Sequence, residues 1–216
     1  MINSYFNVTV IAEWCSFIAS VLILNKRTTF WRLFIILLFL VICTETTGWY
    51  MYNIWGIKEN ALPFNILMLL SNAFFIWVLS TARALQKVKK QLMICGLFFL
   101  LFGLINLLFF QGPKMYNSFS ESLGDIMIAL ICCYFIFTLL KANEHIDLLR
   151  FDYFWLATGL LFYCLGSALL YPFSYLLNNY YEDTKINVGE YINYALNLIL
   201  YSSLIIAFIC RRKTTQ

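Results

Sequence analysis

Charge is scarce in this 216-residue chain. Lys, Arg, Asp and Glu make up only 12% of it, against 62% hydrophobic residues, and there are one histidine and three prolines. Soluble domains carry roughly a quarter charged residues, so this chain has too little polar surface to face water on all sides. The lone His145 sits beside Glu144 and Asp147 in a charged stretch and reads as a solvated loop residue. A three-histidine zinc site and bis-histidine haem ligation are therefore excluded. No lysine lies between Glu190 and Cys210, where a retinal Schiff base would need one, which excludes an ordinary photoreceptor rhodopsin. The seven cysteines all fall in or beside apolar stretches, so they read as packing residues and not as a disulfide framework. The adjacent Cys132 and Cys133 have no nearby histidine to complete a soft-metal site, and Cys210 beside Arg211 is a weak palmitoylation signal. Nothing calls for a metal or a cofactor.

What the chain has in abundance is long apolar runs. They cover about residues 6–24, 30–53, 62–82, 92–110, 119–140, 152–177 and 189–210. Each approaches the roughly 20 residues a membrane-crossing helix needs. Short polar cuts separate them: Asn25-Lys26-Arg27, Gly56-Ile57-Lys58, Gln86 to Lys90, Gln111-Gly112-Pro113-Lys114, Asn143 to Arg150, and Tyr180 to Lys185. The expected fold is all-α, a single polytopic domain over residues 1–216 with seven transmembrane helices. Met1 to Ser4 has no basic n-region, so the first run reads as a span and not as a removable signal.

The net charge of +4 is read as topology, with no nucleic-acid partner. Lys26, Arg27, Arg32, Arg83, Lys87, Lys89, Lys90, Lys141, Arg150, Arg211, Arg212 and Lys213 fall in alternate connectors and the tail. The other connectors hold only Lys58, Lys114 and Lys185. Basic residues gather in short cytoplasmic loops, so the amino terminus is expected outside and the carboxyl terminus inside. Trp31 and Trp155 near the inner ends, with Trp49, Trp55, Tyr175, Tyr180 and Tyr181 near the outer ends, read as interfacial aromatic belts.

With that orientation, the polar side chains inside the spans lie in their outer halves. They include Glu13, Thr44 to Thr47, Asn65, Asn72, Asn106, Glu121, Asp125, Glu190, Asn193 and Asn197. The inner halves are apolar, as in Phe34 to Leu40, Leu97 to Leu101 and Leu204 to Ile209. A polar chamber is expected to open outward above an apolar floor. Residues three, four and seven apart share a helix face, which places Glu121 with Asp125, and Glu190 with Asn193, Asn197 and Tyr201. Gly96, Gly103 and Asn106 line one side of the fourth span, and Gly159, Tyr163 and Gly166 one side of the sixth.

An acidic group in mid-span costs about 2.5–3.5 kcal/mol on insertion scales, so it usually faces a cavity or a partner. Glu13, Glu45 and Asp125 are the clearest cases, with no Lys or Arg at their depth. They call for shared protons, or for a bound cation or amine. A plainer reading has them hydrogen-bonding Thr44, Thr46, Thr47, Asn72 and Asn106 to fix packing. Glu121 and Glu190 lie close enough to the interface for solvation alone to explain them. The candidate ligand-binding set is Glu13, Glu45, Asn72, Asn106, Asp125, Asn193 and Asn197.

Three likenesses bear on function. Ser120-Glu121-Ser122-Leu123-Gly124-Asp125 resembles, through its Gly-Asp pair and the serines near it, the Ser-x-x-Gly-Asp element of lysoplasmalogenase-like membrane hydrolases, although Glu121 stands at the serine position; the resemblance implies Asp125 as a catalytic carboxylate. That family's second acidic motif has no equivalent on the seventh span. Within the chain, Phe30-Trp31 matches Phe154-Trp155, and Asn65 precedes Arg83 by 18 positions as Asn193 precedes Arg211. Spans one to three and five to seven are thus expected as parallel repeats around span four, as in small transporters. Finally, Phe151-Asp152-Tyr153-Phe154-Trp155, Gly159 to Tyr163, Ile192-Asn193 and Asn197 resemble late-helix patterns of uncharacterised seven-span proteins of Bacteroidota. Members are commonly encoded near two-component histidine kinases, and the resemblance implies a bacterial inner membrane and a role in signal input.

The leading expectation is a membrane sensory or accessory signalling module, not an enzyme. Its outward pocket would take a small polar ligand, cation or proton. Its partners would be the lipid bilayer and a histidine kinase or other membrane signalling protein. A small-solute transporter and an intramembrane lipid hydrolase built on Asp125 stay open beside it.

Overall fold

The computed structural model describes residues 7–24, 30–57, 60–141 and 147–214. His145, Lys26, Arg27 and Lys58 lie outside them. Among the described residues the chain is all-helical, with no strand. Seven α-helices follow in order: α1 Val8–Leu24, α2 Leu33–Asn53, α3 Ala61–Ser80, α4 Lys89–Ile105, α5 Ser118–Lys141, α6 Asp152–Thr184 and α7 Val188–Thr214. A 3-10 turn, Arg83–Val88, leads into α4, a π-turn, Asn106–Phe110, leaves it, and a second 3-10 turn, Leu148–Arg150, precedes α6.

Six of the helical segments are long and apolar enough to cross a membrane, while α1, at 17 residues, is a shorter apolar helix. Large apolar side chains such as Leu22, Leu97, Phe98, Phe109, Phe110, Phe137 and Leu140 are more than half exposed. A water-soluble monomer does not carry so much exposed apolar surface, and lipid is the solvent that suits it. The chain is a multi-pass helical membrane protein.

Neighbour relations arrange six helices as a ring: α1 packs on α2, α2 on α3, α3 on α5, α5 on α6, α6 on α7, and α7 back on α1. The fourth helix stands outside, packed on α3 and α5. It approaches α3 through Gly96 and Gly103, where a Cβ would meet Ile76 and Leu69. Met68, Leu69, Phe99 and Leu107 form a small core of their own there. The expected floor segment Leu97 to Leu101 is thus largely a lipid-facing surface, with only Phe99 buried. Gly159 of α6 lets α7 come so close that a Cβ would strike Ser203. Small residues at such crossings allow the close backbone approach that drives helix association in lipid.

Two expectations are corrected. The sixth helix does not end before Tyr180 but continues to Thr184 and stops at Lys185, whose left-handed backbone (φ 60°) caps it by donating to the Tyr181 carbonyl. Trp31 is not an interfacial anchor. It is fully buried, stacked on Phe34 with centroids 5.2 Å apart and edge-on to Tyr153 and Phe208.

Candidate functional site

The ring encloses a cavity of about 460 Å³. Toward one end it reaches Leu177, Asn187 and Gly189 around the α6–α7 connector, and in the other direction it stops at Leu37, Leu38, Phe75 and Leu204. Beyond those side chains lie Trp31, Phe34 and Phe208, none of them exposed, with Phe34 and Phe208 5.4 Å apart. This aromatic layer is tied at its far edge. Arg211 sits 5.4 Å over the Trp31 ring and donates to the buried Asp152 carboxylate at 3.1 Å. Tyr153 shares a 2.8 Å hydrogen bond with Thr81.

Six of the seven sequence-derived residues line the cavity: Glu13 from α1, Glu45 from α2, Asn72 from α3, Asp125 from α5, and Asn193 and Asn197 from α7. The i, i+4 spacing of Asn193 and Asn197 is used directly, since the Asn197 amide donates to the Asn193 carbonyl at 2.9 Å. Asn72 lies across Gly124, where a Cβ would collide with its amide and with Phe99. Only glycine at that position lets α5 carry Asp125 against α3.

Asn106 is the exception. Its amide nitrogen lies within hydrogen-bonding reach of Gln111 Oε1 (2.8 Å), Asn117 Oδ1 and Ser120 Oγ (3.1 Å). Asn117 also donates to the Gly103 carbonyl at 3.1 Å, and its own backbone N–H is accepted by Asn65 at 2.9 Å. Asn106 is consumed in pinning the α4–α5 connector to three helices, because the π-turn that begins there turns its side chain toward that loop. It is a scaffold residue and not a cavity residue.

That pinned connector delivers a residue that the sequence reading did not single out. Tyr116 reaches into the cavity and donates to Glu121 Oε1 at 2.7 Å. Burial, and then the adjacent Glu121, push its phenol well above the usual range, so it acts as a neutral donor. Glu121 is itself corrected: it is 8% exposed and lines the cavity, not a solvated residue at the interface. Glu190 stays outside and exposed, hydrogen-bonded to Tyr194 and Asn187. Ser167, Cys164 and Tyr163 of α6 complete the wall beside Asp125, and Tyr201 of α7 lies 3.5 Å from Glu13 Oε1. The i, i+4 step from Glu121 to Asp125 was the one available signal for Glu121. Tyr116, in a polar connector, carried none.

The lining holds, among the described residues, four carboxyls and no Lys, Arg or His. Among the described residues, Glu13 Oε2, Asn72 Nδ2, Glu121 Oε2 and Asp125 Oδ2 are buried without a hydrogen-bond partner. Buried polar atoms are almost always paired, so this set marks where water or a ligand belongs. Also among the described residues, no three His, Cys, Asp or Glu side chains are gathered as a metal cage would need. Cys132 is buried and Cys133 exposed, so the adjacent pair points in different directions, and no disulfide joins the described cysteines. Compared with known proteins, the chain matches no family model, no curated protein and no solved structure.

Proposed function

We propose that this chain is a seven-span sensory or accessory signalling module of a bacterial inner membrane, amino terminus outside and carboxyl terminus inside. Its cavity takes a small ligand, cation or proton from the outer side. Occupancy biases the bundle between two packings, and the basic inner face passes the change to a membrane partner such as a histidine kinase. The observation that carries this reading is a cavity lined from six helices, acidic within and holding polar atoms unpartnered among the described residues, that ends on a closed aromatic layer. A continuous floor favours sensing over passage, and Arg211 on Trp31 links that floor to the basic end of α7.

Transport is the second reading, and the position of α4 favours it. A fourth helix outside a ring made of α1–α3 and α5–α7 is the arrangement that two parallel three-helix halves would adopt, with the site between them. Reconstituted vesicles separate the two. Sensing predicts saturable binding of an amine or cation with no uptake. Uptake of a defined solute that disappears in Glu45→Gln would assign transport instead. The hydrolase reading requires lysolipid turnover that Asp125→Asn abolishes.

A further inference from the structure

The four carboxyls of the cavity come as two pairs on opposite walls. Glu13 lies within electrostatic range of Glu45, on the neighbouring helices α1 and α2, and Glu121 lies within range of Asp125, one turn along α5. In the ring order α1, α2, α3, α5, α6, α7, the first and fourth places are diametrically opposed. Tyr163 of α6 stands within range of both groups, facing Glu121, Asp125 and Glu13.

Each wall is built alike. One oxygen of Glu121 accepts from Tyr116 and its second oxygen is unpartnered among the described residues. One oxygen of Glu13 faces Tyr201 and its second is likewise unpartnered. Both glutamates, and Asp125, are at least nine-tenths buried. Among its polar side chains the lining also carries the apolar Phe75, Leu160 and Leu200.

A metal ion does not suit this layout, since it needs its carboxylates gathered at one point. A single ammonium satisfies one pole and leaves the other bare. Six helices packed at 8–10 Å in a ring put opposite axes roughly 16–20 Å apart. Subtracting two half-helices with their side chains, about 10–12 Å, leaves roughly 6–8 Å between facing side-chain ends. An alkyl diamine with four or five methylenes fits that gap with each nitrogen lying beside its carboxyl pair and not in line with it.

We propose that the cavity binds an α,ω-alkyl diamine, with one ammonium between Glu13 and Glu45, the other between Glu121 and Asp125, and the methylene chain against Leu160, Leu200 and Phe75. This rests on the reading of the cavity as a site for a small cationic ligand and names its chemical class. Affinity comes from joining two poles that are individually weak, so chain length and the second charge are what the site reads.

The test uses the full-length protein in nanodiscs, titrated with 1,4-diaminobutane, 1,5-diaminopentane, n-butylamine, sodium and magnesium, and followed by calorimetry and by thermal shift. The expected result is that a diamine binds at least about tenfold more tightly than n-butylamine. Glu13→Gln and Asp125→Asn should each, singly, bring the diamine down to the monoamine level. Equal binding of n-butylamine and the diamines, lost in Glu13→Gln, would overturn the two-pole proposal while leaving a cationic-ligand cavity in place. A response to magnesium alone would do the same. No binding of any of these amines or cations would remove both the diamine and the cation reading together. The comparison of mono- and diamine on the unmodified chain needs no variant to fold.

Discussion

The two halves of the ring solve opposite problems with the same helices. Near the α6–α7 connector, α1, α2 and α7 contribute Glu13, Glu45, Asn193 and Asn197 to a space in which Glu13, Asn72, Glu121 and Asp125 each hold a polar atom unpartnered among the described residues. Toward the end carrying Arg211, Trp31 just ahead of α2, Phe34 of α2 and Phe208 of α7 form a layer with no exposure at all. In lipid, helices gain little from hydrophobic burial against one another, and packing and polar contacts hold them together. The aromatic half is therefore where the fold is held, and the acidic half is where stability is given up for a ligand.

The sharpest break in that comparison is Phe34→Ala. It removes a fully buried ring packed on Trp31, Phe74 and Phe208, and should cost about 3–5 kcal/mol. Thermal unfolding in detergent should show it as the largest loss of any variant named here. Arg211→Ala comes next. It leaves the buried Asp152 carboxylate without its guanidinium, a loss of about 1.5–3 kcal/mol for a charged hydrogen bond. The paired variant Arg211→Ala with Asp152→Asn should recover part of that loss in a double-mutant cycle.

Gly124→Ala tests the junction of the halves. A methyl there meets Asn72 and Phe99, with an expected penalty of about 1–3 kcal/mol in denaturation midpoints. The smallest effect on stability belongs to the cavity acids. Glu45→Gln and Asp125→Asn should leave unfolding within about 0.5 kcal/mol of the parent chain, or raise its stability, because each removes a cavity carboxyl that no cation among the described lining residues offsets. A large destabilisation in either would make that carboxyl a packing element and not a ligand group.

The helices themselves were legible in the chain because long apolar runs and basic punctuation report directly on solvent and length. So was the inward face of most helices that carry cavity residues, since i, i+3 and i, i+4 spacing fixes which side chains share a face. The register between helices was not. Helical phase says that Glu13 and Asp125 each lie on an inward face, but not that α1 stands opposite α5 or that α4 is left outside. The same gap explains Asn106, whose in-line position with Gly103 is real but whose π-turn redirects it to the connector. Trp31 misled for a related reason: a tryptophan at a span's end is usually an anchor, and only the positions of Phe208 and Arg211 make this one core.

The central claim is that a water-filled acidic cavity is sealed from the basic end by the aromatic layer. Cysteine accessibility tests it most directly. In a chain cleared of its native cysteines, Ser167→Cys lies in the cavity and Ala207→Cys in the sealed half. In vesicles of known sidedness, a membrane-impermeant cationic thiol reagent should modify Ser167→Cys only from the face bearing the α6–α7 connector, with Ala207→Cys unreactive from both faces. Modification of Ala207→Cys from the Arg211 face at a comparable rate, or an inert Ser167→Cys, would contradict the account.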